Sequence, residues 1–417
     1  MGSQKKIVKN ALFLYALTFS NYFIGLLLFP YLSRVLSVEV FGIIGYATSL
    51  CMVFQMIIEY GFQISTTATI ALNRDSKEKI SKVISTMTCS KAVLAGISLA
   101  AFMLCCSLSE SLREHGVALA LFYCDAAIKA FLPDSYFRGI EKMGQITTRA
   151  VAVKSGILVL TAFFVKGDDT FLIYPLSMIL CDAVALVWAF LLIRRDGVKV
   201  YRVPIADALW EIKSGFWFFV SRISVSINGS LGSLFLGFRY SPESVEMGLY
   251  SGATRLSTAA EQMISPIGDA LYPSMMKSRD YRLFYKTVLL GGGVWVAGCV
   301  SAALLANPLC ELILGPQYAV AGDYLRVLLV GVAFGFFSNL FGYPALSPIG
   351  KAKQANVAIM LGTCVSLAVF VLLWATGYIT VQNVCVTASM MNVISFTYRF
   401  YTFCRHRPRR KSELREG

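Results

Sequence analysis

Charge is scarce along this chain: Asp, Glu, Lys and Arg make up 15% of its 417 residues, where soluble domains carry about a quarter. Histidine is limited to His115 and His406, no two cysteines are spaced C-x-x-C, and the one adjacent pair is Cys105 and Cys106. Those shortages argue against a zinc or redox centre. Also missing is any G-x-x-x-x-G-K-[ST] loop, so no Walker-type nucleotide site is expected. No polar stretch is long enough to make a separate soluble domain.

What the chain has instead is apolar length. Hydrophobic residues make up 56% of it and its mean hydropathy is +0.64. Runs of about 20 apolar residues, enough to cross a ~30 Å hydrocarbon layer, recur from end to end. Spans are predicted at 11–33, 40–62, 83–107, 116–137, 147–165, 171–193, 214–238, 247–274, 285–306, 323–346, 356–376 and 380–404. The runs lack the two-residue alternation of outer-membrane strands, so helices are expected rather than a barrel. Most cysteines, among them Cys51, Cys181 and Cys385, fall inside these runs and read as small apolar residues.

Orientation follows from Lys and Arg, which keep short loops in the cytoplasm. Alternate connections hold 27 of them against four, Arg34, Arg113, Lys166 and Arg239, on the other side. Both termini are therefore expected in the cytoplasm, which requires an even number of spans. The formal charge of +14 is mostly a topology signal, with added attraction to anionic membrane lipids. Its spread over many short segments argues against nucleic acid. The tail 405–417, with Arg405, Arg407, Arg409, Arg410 and Lys411, is expected to lie on the membrane surface.

The chain divides near residue 208 into two sets of six spans, 1–208 and 209–404. Phe41-Gly42-Ile43-Ile44-Gly45-Tyr46-Ala47-Thr48-Ser49-Leu50 lies over Met247-Gly248-Leu249-Tyr250-Ser251-Gly252-Ala253-Thr254-Arg255-Leu256 at a constant offset, and Gly, Ala, Thr and Leu coincide. An even span count per half gives both repeats one orientation, related by an axis along the membrane normal. The fold expected is an all-α integral membrane protein of about 12 transmembrane helices in two six-helix lobes around a central cleft.

Several strings resemble the Wzx-type polysaccharide flippases, which share a superfamily with the MATE multidrug exporters and the lipid II flippases. The clearest is Pro133-Asp134-Ser135-Tyr136-Phe137-Arg138-Gly139-Ile140-Glu141-Lys142-Met143, similar to the family's P-x-W-x-F-Q-G-x-E-x-M and followed by Arg149 and Lys154. Ser135 and Arg138 depart from it, standing where Trp and Gln are more usual. Others are Leu32-Ser33-Arg34-Val35-Leu36, Phe164-Val165-Lys166 with Asp168 and Asp169, and Leu314-Gly315-Pro316-Gln317-Tyr318. The resemblance implies a multi-pass flippase of the bacterial inner membrane. Its substrate would be an undecaprenyl-diphosphate-linked oligosaccharide, moved by alternating access for O-antigen or capsule assembly alongside other polysaccharide assembly proteins. It implies no cofactor.

Ionisable groups within spans cost ~3 kcal/mol each on insertion scales, so they face a polar cavity or a partner. Lys91, Lys154, Arg222 and Arg255 have no partner evident in the sequence. They are candidates for holding the diphosphate, the other reading being that they bridge to Asp182, Glu261 or Asp269. Asp125 and Lys129, four apart on one helix face, are placed to pair. Asp125, Asp182 and Glu261 are the carboxyls placed to couple transport to H⁺ or Na⁺. Arg326 and Arg399, near span ends, are expected to snorkel to the interface. Two rival functions remain in view: a MATE-like ion-coupled exporter of small molecules, and a membrane polysaccharide polymerase.

Overall fold

The computed structural model describes residue 25 and residues 27–406, with side chains except at 217, 218, 220–222, 224–226, 273 and 278. Most of the expected first span, and the tail beyond residue 406, lie outside them. The described residues contain no strand. The principal helices are α1 (Val38–Glu59), α2 (Phe62–Leu72), α3 (Lys77–Leu108), α4 (Gly116–Phe131), α5 (Asp134–Gly139), α6 (Met143–Phe164), α7 (Ile173–Arg195) and α8 (Ile205–Ser226). There follow α9 (Asn228–Leu236), α10 (Val245–Gln262), α11 (Ser265–Ser278), α12 (Gly292–Leu304), α13 (Ala321–Leu340), α14 (Ala352–Ala375) and α15 (Val381–His406), with shorter helical segments between.

Eight of the described helical stretches are long and apolar enough to span a membrane, and they correspond to eight of the twelve expected spans. Three other expected spans are helical but do not meet that standard. The segment 214–238 breaks at Ile227 between α8 and α9, and 247–274 breaks at Met263 and Ile264 between α10 and α11. The last, α15, is continuous over 26 residues but too polar on average. In α7 the membrane environment is visible on the surface: Leu180, Val184, Val187 and Leu191 are more than half exposed, while Ser177, Asp182 and Ala185 are buried. Apolar side chains outward and polar ones inward is the arrangement that suits lipid rather than water. The chain is a multi-pass membrane protein.

Two compact units divide between Ser230 and Leu231. This boundary lies a helix length beyond residue 208 because α8 packs on α3 of the first unit. In that unit Ser37 caps α1, accepting from Val40 N at 3.3 Å. Tyr60 and Gly61, both with positive φ, end α1 and start α2, and Tyr60 is held there by stacking on Phe219 at 4.5 Å. In the second unit α10 begins the same way, with Ser244 accepting from Met247 N at 3.2 Å. The matching strings 41–50 and 247–256 thus form the first turns of capped helices, buried throughout at 41–47 and 247–253 and half-buried at Thr48, Ser49, Thr254, Arg255 and Leu256.

The other motif strings turn out to be contact partners. Ser37, after Leu32–Leu36, donates its N–H to Asp168 Oδ1 at 2.8 Å, and Tyr31 donates to Val165 O at 2.7 Å. Gly315 takes φ +114 and brings Tyr318, fully buried, against Gly252 of α10. A Cβ at Gly252 would lie 3.0 Å from both Tyr318 and Leu314.

Candidate functional site

The charges of the first unit converge where α1, α3, α4 and α7 meet. Lys129, in the last turn of α4, lies 2.6 Å from Asp125 one turn earlier and 3.5 Å from Asp182 on α7. Both carboxylates are nearly inaccessible, while Lys129 keeps about a third of its side chain exposed. Two buried carboxylates so close would repel, and the shared ammonium offsets that repulsion. Lys91, on α3 and 5% exposed, donates to Ala130 O at 2.6 Å. It lies within electrostatic reach of Glu59 and Asp134.

Two adjoining cavities run through this cluster. One of about 270 Å³ is lined by Gln55, Glu59, Gln63, Lys91, Lys129, Asp134 and Asp182 among others. The other, about 250 Å³, shares Gln55, Glu59 and Lys129 with it and adds Asp125, Thr48 and Cys51. Their polar lining comes from one stripe of α1, where Gln55 Nε2 donates to Glu59 Oε1 at 2.8 Å, facing the charged turns of α3, α4 and α7. Lys154, half-buried on α6, has no hydrogen-bond partner among the described residues, and the nearest charges acting on it are those of Lys129 and Asp182.

The Pro133–Met143 string closes the end of this unit that the Lys/Arg count assigns to the cytoplasm. Gly139 of α5 sits so close to α2 that a Cβ there would lie 2.6 Å from Ile70. Arg74 then reaches across, its Nε donating to Gly139 O at 2.7 Å and its Nη1 lying 2.6 Å from Glu141. Tyr136 Oη donates to Asp196 at 2.9 Å, and Lys142 pairs with the same carboxylate at 2.8 Å. Arg149, counted with the cytoplasmic loop charges, is instead 4% exposed. It pairs with Asp134 and stacks over Phe137 at 5.7 Å. Nothing in the spacing of Asp134 and Arg149 signals that pairing, because a helix start and a loop intervene.

In the second unit the candidate residues lie on α10. Arg255 is half-buried on α10, and Glu261 near the end of that helix accepts from Asn392 Nδ2 of α15 at 2.8 Å. Arg222 belongs to α8 of the first unit, and its side chain lies outside the described residues. Arg326 pairs with Asp323 near the surface, as a span-end arginine would. Arg399 does not snorkel. It is 7% exposed and donates to Ser338 O at 2.6 Å and to Ala355 O at 2.8 Å, tying the end of α13 to the start of α14. Ser338 O is one of the last carbonyls of α13, which lack helical partners and carry partial negative charge, and Ala355 O offers a second acceptor from the first turn of α14, so the guanidinium is held without a carboxylate.

A multi-pass helical protein that keeps an open, charge-lined cavity within its spans is built as a membrane transporter. The fold agrees with solved structures of that class. It superimposes on the lipid II flippase MurJ in an inward closed conformation with a TM-score of 0.70 and 12% identity, covering 94% of this chain and 87% of that one. An inward-facing multidrug resistance MATE family transporter gives 0.65 and 15%, covering 93% and 95%. The model of a family described as polysaccharide biosynthesis protein matches residues 7–279, and the chain belongs to that family. Two relatives named "Putative O-antigen transporter", from Escherichia coli K12 and Shigella dysenteriae, are each 26% identical over 86% of this chain and 88% and 91% of their own.

Proposed function

We propose that this protein is a flippase that carries an undecaprenyl-diphosphate-linked oligosaccharide from the cytoplasmic to the periplasmic leaflet of the bacterial inner membrane, for O-antigen or capsule assembly. The observation that carries the reading is the near end-to-end relationship to two proteins named as O-antigen transporters, within a polysaccharide biosynthesis family. Both termini lie in the cytoplasm on this reading, as the Lys and Arg distribution requires.

A diphosphate entering a low-dielectric interior needs fixed cations or it bears its full desolvation cost. Lys91, Lys154 and Arg222 would supply them from the first unit, and Arg255 from the second. Lys91 uses one of its three N–H donors on Ala130 O, which leaves two for a ligand. Asp125, Asp182 and Glu261 are the carboxyls through which H⁺ or Na⁺ would drive the cycle.

The test is a leaflet-resolved assay of the lipid-linked intermediate in a strain lacking this protein. Accumulation on the cytoplasmic face is the expected result. Accumulation of unpolymerised units on the periplasmic face would overturn the reading. The lining of the first-unit cavities, where the carboxylates Glu59, Asp125, Asp134 and Asp182 face only the cations Lys91 and Lys129, favours a second reading as an exporter of small cationic compounds. Drug resistance on overexpression, with normal distribution of the lipid-linked intermediate, would select it.

A further inference from the structure

A separate cavity of the first unit, about 270 Å³, opens between α2, α3 and the start of α8, with Thr66, Thr69, Lys82, Asp207, Trp210 and Glu211 on its walls. It lies at the end of the unit rich in Lys and Arg, little more than a turn beyond the beginning of α3 at Lys77. The chain that leads into its α8 wall is firmly held. Three serines of α3 hold the connection into α8: Ser81 Oγ accepts from Lys199 N at 3.0 Å, Ser85 Oγ accepts from Tyr201 N at 3.1 Å, and Ser90 Oγ donates to Ala208 O at 3.2 Å. Ala208 is fully buried against α3, so its neighbours Asp207, Trp210 and Glu211 are presented from a fixed turn.

The walls carry chemistry that the protein does not use internally. The side chains of Lys82, Asp207 and Glu211 line one cavity yet form no hydrogen bond or ion pair among the described residues, although both signs of charge are present. Trp210 is 68% exposed. Such a ring at a membrane edge is commonly an interfacial anchor, but an anchor needs no cavity and no unpaired carboxylates beside it. A flat aromatic face for C–H groups, carboxylates and threonine hydroxyls for vicinal hydroxyls, and one ammonium for a ring or carbonyl oxygen together suit a pyranose. Two carboxylates against one lysine disfavour phosphate. The volume falls below the ~300–1,000 Å³ of sites for drug-sized ligands, which suits one ring rather than a chain.

We propose that this cavity is a cytoplasmic reception site for a single sugar ring of the transported oligosaccharide, with Trp210 as the stacking platform and Asp207, Glu211 and Lys82 as the hydroxyl-reading groups. The inference rests on the flippase reading for its ligand, and would make this site the place where the sugar is sampled before its diphosphate enters the spans.

The test is saturation-transfer NMR on the full-length protein in lipid nanodiscs, with methyl glycosides of glucose, N-acetylglucosamine and glucuronic acid as probes and tetraphenylphosphonium as a cation. Transfer to the ring protons of at least one glycoside is expected. It should fall roughly tenfold in Trp210→Ala, the usual scale for losing a stacking platform, recover in Trp210→Phe, and weaken in Asp207→Asn and Glu211→Gln. Trp210 is exposed, so its removal leaves the core intact. The site is refuted if no glycoside receives transfer, if Trp210→Ala binds as well as the native protein, or if only tetraphenylphosphonium binds. A native protein that flips lipid-linked oligosaccharide but binds no glycoside loses this site and keeps the flippase reading. Glycoside binding in a protein that does not flip has the opposite consequence.

Discussion

Lys129 bridges two helices by reaching Asp182 on α7 at 3.5 Å while it holds Asp125 of its own helix at 2.6 Å. The two carboxylates need this one cation. Removing one partner of a buried ion pair costs roughly 3–5 kcal/mol, and here the loss also exposes the carboxylates to each other. Lys129→Met should therefore lower the thermal stability of the purified protein by several degrees. Adding Asp182→Asn should recover much of the loss. A thermal shift assay in detergent checks both, and an unchanged midpoint in Lys129→Met would refute the bridging role.

Gly139 is needed for space, since its backbone φ is not positive. A methyl group there would meet the Ile70 side chain at 2.6–2.7 Å, and Ile70 is fully buried, so neither can yield cheaply. Overpacking of this kind costs ~1–3 kcal/mol. Gly139→Ala should reduce the amount of folded protein in the membrane, and Ile70→Ala in the same chain, which removes the Cγ2 that the new methyl meets at 2.6 Å, should restore part of it. Size-exclusion profiles of tagged variants give the measurement. If the double variant is no better than the single one, crowding against Ile70 is not the cause.

The spans were legible because lipid imposes apolar length on each of them. Eight expected spans coincide with long apolar helices. The pairing of Asp125 with Lys129 was legible too, since a spacing of four on one helix fixes the geometry. Where the partner came from another helix, the sequence offered no register. Lys91 looked unpartnered because its acceptor is a backbone carbonyl, and Arg149 looked like a loop charge because Asp134 meets it only after α5 folds back. Arg399 looked free to snorkel because its distance from the chain end said nothing of the carbonyls of α13 and α14 beside it.

Arg399 offers a direct stability test in the second unit. Its guanidinium donates to Ser338 O and Oγ and to Ala355 O, three acceptors that its planar set of N–H groups reaches at once. Arg399→Ala leaves Ser338 O, at the end of α13, buried and without this donor, at about 1–3 kcal/mol when unsatisfied. Arg399→Lys keeps the charge but not the planar fork, so it should fall between the two. Thermal midpoints in the order native, Lys, Ala are expected. An Ala variant as stable as the native protein would return this residue to the interface role first read from its position.

Lys154 and Lys91 separate binding from structure. Lys154 has no hydrogen-bond partner among the described residues and is only half-buried, so Lys154→Gln removes a cation while leaving no group orphaned. Lys91→Met also removes a cation, but strands Ala130 O in a buried turn and should cost ~1–3 kcal/mol. If both lysines hold the substrate diphosphate, transport per folded molecule falls in both variants, whereas stability falls only in Lys91→Met. Lys154→Arg should retain most of the activity, since the charge remains. The measurement is leaflet-resolved flipping divided by the folded fraction for each variant. Native flipping in Lys154→Gln, or a loss in Lys91→Met that folding alone accounts for, would remove that lysine from the proposed diphosphate site and leave it a structural role.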